Sequence, residues 1–171
     1  MCKSGTIIAM RVAAILVAIL SVLNTSNGFA QGGAWSSKAS MPAVRSGLAS
    51  SVLDGKIYVI AGHDKDFTSL GTTEEYDPNT DTWTRKNDLP SARFGHCAVA
   101  ANGKIYVMGG VDDDFLKTME EYDPDLDIWI ALPDMPTARA GLECTAVDGK
   151  IYTMGGFHHR HPGTRYYVHC R

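Results

Sequence analysis

The sequence predicts an all-β protein assembled from repeated four-stranded antiparallel meanders. The tetrapeptide Gly-Lys-Ile-Tyr begins at Gly55, Gly103 and Gly149, at offsets of 48 and 46 residues. The same offsets relate Pro42, Pro90 and Pro136, and likewise Arg45, Arg93 and Arg139. Glu74-Glu75-Tyr76-Asp77-Pro78 returns 46 residues later as Glu120-Glu121-Tyr122-Asp123-Pro124. From residue 31 onward no segment carries the apolar period of a helix.

Each repeat divides into four strands. The first follows the Arg-x-Gly step, from about Gly95 to Ala101, and the second is Ile105 to Met108, apolar on consecutive positions. Consecutive apolar residues predict a strand buried on both faces. Between them stand Asp54-Gly55, Asn102-Gly103 and Asp148-Gly149, dipeptides that tolerate the positive φ of a tight hairpin. The third strand covers Thr118 to Tyr122. Asp77-Pro78-Asn79 and Asp123-Pro124-Asp125 then open type I turns. The fourth holds Trp83 or Trp129, which, like Trp35, lies seven residues before a repeat proline. One segment alone changes length between copies, His63 to Thr73 against Val111 to Met119, and this accounts for the two offsets.

Composition limits the function classes. The chain has 171 residues, 44% hydrophobic and 20% charged, with a net charge of −3. Those values exclude a disordered or collagen-like chain and disfavour a nucleic-acid partner. Residues 1–30 read as a signal peptide: Lys3 and Arg11, an apolar run from Val12 to Leu23, then Gly28 and Ala30 before a cut at Gln31. The run is shorter than the roughly 20 residues of a spanning helix, so no stable membrane insertion is expected after cleavage. Removing Lys3 and Arg11, and no acid, moves the charge from −3 to −5. The expected location is secreted or periplasmic. Cys97, Cys144 and Cys170 remain, an odd number. Cys97 and Cys144 lie two and three residues beyond the equivalent Gly95 and Gly141, a parity that sends them to opposite strand faces and predicts buried thiols rather than a bond.

The Arg-x-Gly start, the Ile-Tyr strand closing in Gly109-Gly110 or Gly155-Gly156, the Tyr-Asp-Pro turn and the spaced Trp resemble the kelch repeat. The likeness covers about residues 35 to 157 and implies kelch-type β-propeller blades. Ala61-Gly62 departs from the doublet, and Ala is tolerable there only at negative φ. The resemblance also implies that Arg45, Arg93 and Arg139 ring the mouth of a central channel, where guanidinium groups suit acidic groups of a partner. Pairing with Glu74 or Glu120 inside each blade is the structural alternative.

Loops that differ between repeats are further candidates for binding. His63, Asp64 and Asp66, and Asp112 and Asp114, follow the doublets and precede Phe67 and Phe115, which are expected to plug the blade edge. The paired acids lack the remaining ligands of a calcium loop. His158, His159, His161, His169 and Cys170 lack zinc spacing, so neither a metal nor a cofactor is expected. No catalytic constellation can be placed. Sialic acid mutarotases and copper-radical galactose oxidases occur among kelch proteins, yet fold confers neither activity.

The residues divide into an outer strand at 35–41, blades at 42–89 and 90–135, a half-blade at 136–157 and a basic tail at 158–171. This is an incomplete propeller in one chain, since closed rings use about four to eight blades. A head-to-tail homodimer would complete six blades; a truncated gene product is the rival. The expected function is non-catalytic binding of a protein or glycan, with a carbohydrate-active enzyme of the mutarotase type as the alternative.

Overall fold

In the computed structural model residues 36–158 are described. The chain divides into two units, Met1–Ser37 and Lys38–Arg171, and every named strand belongs to the second. The signal-like segment, its cut site, Trp35, and the tail residues His159, His161, Tyr166, Tyr167, Val168, His169 and Cys170 lie outside the described residues, and residues 36–41, expected as the rest of an outer strand, form no strand and join no sheet.

Ten strands form three antiparallel sheets. The first contains β1 (Ala49–Leu53), β2 (Lys56–His63), β3 (Ser69–Asp77) and β4 (Thr82–Lys86) in that order. The second contains β5 (Cys97–Ala101), β6 (Lys104–Met108), β7 (Met119–Asp123) and β8 (Ile128–Leu132), and the third pairs β9 (Ala140–Val147) with β10 (Lys150–Phe157). The three sheets are successive propeller blades, and among the described residues they do not close a ring. Asp54, Asn102 and Asp148 each have a φ of 51°, and the glycines after them 70–75°, the I′ geometry that matches strand twist.

Alternation along each strand builds the core between sheets. On β6, Ile105 and Val107 turn toward Tyr58 and Ile60 of β2, while Tyr106 and Met108 turn toward Leu142, Cys144 and Ile151 of the third sheet. Both faces of β6 are therefore covered, as its unbroken apolar run requires. Backbone bonds stitch the inner strands together at the Arg-x-Gly step: Gly95 N donates to Gly47 O and Gly141 N to Gly95 O, each at 2.8 Å.

Two expectations are corrected. Cys97 and Cys144 are joined by a disulfide, with Cα atoms 5.9 Å apart. Stacked blades meet face to face, so contacting residues come from opposite faces of equivalent strands. The odd difference in position therefore brings the two sulfurs together. Ala61 has a φ of 54° rather than a negative one. It stands where Gly109 and Gly155 have φ of 65° and 66°, and it is wholly buried. The blade imposes this geometry through Gly62 N, which donates to Arg93 O at 2.8 Å, as Gly110 N does to Arg139 O at 2.9 Å.

Candidate binding surface

The three repeat arginines occupy equivalent places but different electrostatic states. Arg45 donates from Nε to Ala61 O at 2.9 Å and from Nη2 to Val59 O at 3.1 Å, and its Nη1 pairs with Glu74. Arg93 donates to Ser91 O at 3.0 Å and Gly109 O at 3.0 Å, and pairs with Glu120. Both side chains are fully enclosed. Burial lowers the Arg93 pKa, and the adjacent Glu120 opposes that shift. β3 and β7 deliver these glutamates, so the pairing inside each blade is present in the first two sheets.

Arg139 differs. Its Nη1 reaches Gly155 O at 3.2 Å, the grip that Arg45 has on Ala61 and Arg93 on Gly109. Its Nε is buried without a hydrogen-bond partner. The position 46 residues beyond Glu120 is Tyr166 rather than an acid.

The loop candidates lie at the same end of the sheets, because each joins the second strand of its blade to the third. His63 bridges to Ser46, with 3.1 Å between Nε2 and the serine Oγ and 2.8 Å between Nδ1 and Asp64 O. The Phe67 ring stacks on His63 at 4.7 Å between centroids, and Phe94 meets His63 edge-on at 4.9 Å. Phe67 is nevertheless 72% exposed and has a φ of 61°, so it does not plug the blade edge. Phe115 packs edge-on against Phe157 of the third sheet. Asp64 accepts the amides of Asp66 and Thr68, both at 2.9 Å, and the Thr68 amide leads in lowering its pKa. Asp66 pairs with Lys65 at the surface. Asp114 accepts the Phe115 amide at 2.7 Å, and Asp112 N donates to Asp114 O at 3.1 Å. Asp64 and Asp114 thus shape their own loops. Among the described residues no three His, Cys, Asp or Glu side chains are grouped to hold a metal ion, and no helix is long and apolar enough to cross a membrane.

Three residues carry roles that the motifs do not assign. Asp81 and Asp127 accept the hydroxyls of Tyr76 and Tyr122, both at 2.6 Å. They also accept the amides of Ala39 and Asn87, while Trp83 and Trp129 donate to the carbonyls of those two residues at 2.9 Å. The hydrogen bond to Asp81 pushes the Tyr76 pKa up to about 12. Each Asp lies five residues after its Tyr and two before its Trp, a spacing visible in the sequence. His96 stands where the other repeats have Leu48 and Leu142. It is buried, neither ring nitrogen has a hydrogen bond of full geometry, and desolvation followed by nearby Arg93 lowers its pKa to about 3 against a weak opposing interaction with the Ile60 backbone.

A family model, the KLHDC2/KLHL20/DRC7 Kelch-repeats domain, matches residues 19–156. No curated protein sequence matches the chain. Among solved structures, that of YjhT superposes with a TM-score of 0.63 at 20% identity, over 71% of this chain and 37% of that one. The chain therefore spans well under half the length of YjhT, and the likeness is one of fold. With the arginine, glycine-doublet and Tyr-Asp-Pro positions all in their blade geometry, the chain belongs to the kelch-repeat family.

Proposed function

We propose that the chain is a non-catalytic binding module that acts outside the cytoplasm and receives a protein or carbohydrate ligand on its loop rim and at Arg139. Phe67 carries this reading. A bulky residue in the left-handed region is strained, and here the strain displays an aromatic ring to solvent beside His63 and the acids Asp64 and Asp66. An aromatic face flanked by carboxylates suits the apolar faces and hydroxyls of a sugar, and equally an amphipathic protein surface. The equivalent loop of the second blade, with Asp112, Asp114 and Phe115, extends the same rim. Export is supported by the order of charged, apolar and small residues in 1–30, and by the Cys97–Cys144 bond, which persists in oxidising compartments.

The test is a glycan array and a displayed-peptide selection with the purified chain and its Phe67→Ala variant. The expected result is a ligand that binds the parent at least about tenfold more tightly than the variant. Turnover in a sialic acid anomerisation assay without any stable binder would overturn the reading in favour of an enzyme.

A further inference from the structure

One position in the blade changes its chemistry between repeats while its backbone stays the same. The residue between Arg and Gly of each step bridges, antiparallel, to the residue that follows the doublet: Ser46 to His63, Phe94 to Val111 and Ala140 to Phe157. The second and third blades fill this bridge with apolar pairs, so the scaffold does not require polar side chains there. The first blade places a hydroxyl and an imidazole at it.

The polar pair is also ordered. Ser46 N donates to His63 O at 3.0 Å and His63 N to Ser46 O at 2.8 Å, which occupies these backbone groups. His63 Nδ1 lies 2.8 Å from Asp64 O, and a carbonyl only accepts, so Nδ1 carries the ring hydrogen. In the neutral ring Nε2 is then an acceptor, and the Ser46 hydroxyl, 3.1 Å away, donates to it. With that hydrogen committed, the exposed Ser46 Oγ offers its lone pairs as a fixed acceptor. Beside it lies an apolar shelf. The Phe67 ring stacks on His63 at an interplanar angle of 15°, Phe94 supports His63 edge-on, and Phe67 itself is mostly exposed. The loop adds Asp64 and Asp66 against Lys65, one net negative charge.

We propose that Ser46, His63 and Phe67 form a subsite for a neutral pyranose. The C–H face of the sugar stacks on Phe67, and one ring hydroxyl donates to Ser46 Oγ. A pyranose carries both features on one rigid ring, whereas a peptide must order two separate groups to supply them and loses more entropy on binding. The charge of the loop works against an anionic sugar. Ser46 is thus a specificity-determining residue, and His63 positions its hydroxyl. This rests on the binding role proposed for the rim and narrows its ligand to a carbohydrate.

The experiment follows the amide shifts of the ¹⁵N-labelled intact chain during titration with the methyl glycosides of glucose, galactose, mannose and N-acetylglucosamine, their monodeoxy analogues and methyl α-sialoside. Ser46→Ala copies Ala140 of the third blade, so the fold accommodates it. Saturable binding of at least one neutral glycoside is expected, weakened about three- to tenfold in Ser46→Ala. One monodeoxy analogue should lose the same factor in the parent and nothing further in Ser46→Ala, because the two changes remove one hydrogen bond. The sialoside should bind the parent at least about tenfold more weakly than the neutral sugar. Equal binding by parent and Ser46→Ala overturns the proposal, as does a loss in Ser46→Ala that every deoxy analogue shares, which marks a structural role. A sialoside that binds as well as the neutral sugars also overturns it. If no neutral glycoside binds while a displayed peptide binds in a Phe67-dependent way, the sugar subsite is overturned and the rim reading stands. If no ligand of either kind depends on Phe67, both are overturned.

Discussion

Cys97 on β5 and Cys144 on β9 are bonded across the interface between the second and third sheets, although their positions in the repeat differ by one residue. The bond clamps the last described blade to its neighbour, beside Met108 and Leu142. Closing a loop over a sequence separation of 47 residues restricts the unfolded chain by about 4 kcal/mol in the loop-entropy model. Reduction, or Cys97→Ser with Cys144→Ser, is expected to cost most of that. Urea unfolding with and without reductant measures it, and non-reducing peptide mapping identifies the linked pair.

The buried ion pairs and the open arginine should respond unequally. Glu120→Gln leaves the enclosed Arg93 charge unmatched, and a loss of about 3–5 kcal/mol is expected. Arg139→Gln removes the bond to Gly155 O and no ion pair, and about 1 kcal/mol or less is expected. Chemical denaturation of the two variants side by side gives the comparison.

His96 should make the protein acid-sensitive. Its pKa in the fold is about 3 against 6.5 for a free side chain, so below pH 6.5 the unfolded chain binds the extra proton. Its contribution to stability is complete above pH 6.5. It is lost as pH falls toward 3, at up to about 1.4 kcal/mol per unit. His96→Leu, which copies Leu48 and Leu142, should flatten that part of the pH profile. Thermal unfolding between pH 4 and 8 tests both.

Ala61 and Gly109 share one place in the blade, yet their exchange should not be symmetrical. A Cβ on Gly109 would stand 2.5 Å from Arg139 O at a φ of 65°, so Gly109→Ala is expected to destabilise by more than about 2 kcal/mol. Ala61→Gly relieves a positive φ and is expected to lie within about 1 kcal/mol of the parent on the stabilising side. Denaturation midpoints decide.

The blades were legible in the sequence because hairpin turns, apolar runs and the Trp spacing are local signals repeated at fixed offsets. Asp54-Gly55 adopts the turn its chemistry favours, and β6 is buried on both faces as its run demands. What one chain segment alone does not display is which face meets which neighbour. The Cys97–Cys144 bond depends on face-to-face stacking of two sheets, and the Ala61 conformation on a hydrogen bond from its neighbour Gly62 to Arg93 in the next blade. The site was legible only as residue types. The sequence left open whether the arginines are internal or exposed, because the glutamates that enclose Arg45 and Arg93 arrive from strands 27–29 residues away. The distinction of Arg139 follows from a carboxylate that the third repeat does not supply among the described residues.

The difference between Arg139 and its two equivalents is most directly read by arginine-selective ¹⁵N NMR of the Nε–H groups, assigned by Arg45→Lys, Arg93→Lys and Arg139→Lys, in the parent and in Glu74→Gln and Glu120→Gln. The expected result is that the Arg45 resonance moves in Glu74→Gln and the Arg93 resonance in Glu120→Gln, while that of Arg139 stays in place in both. Arg45 and Arg93 resonances unchanged by these substitutions, or an Arg139 resonance that moves with them, would contradict the pairing of Arg45 and Arg93 inside their own blades.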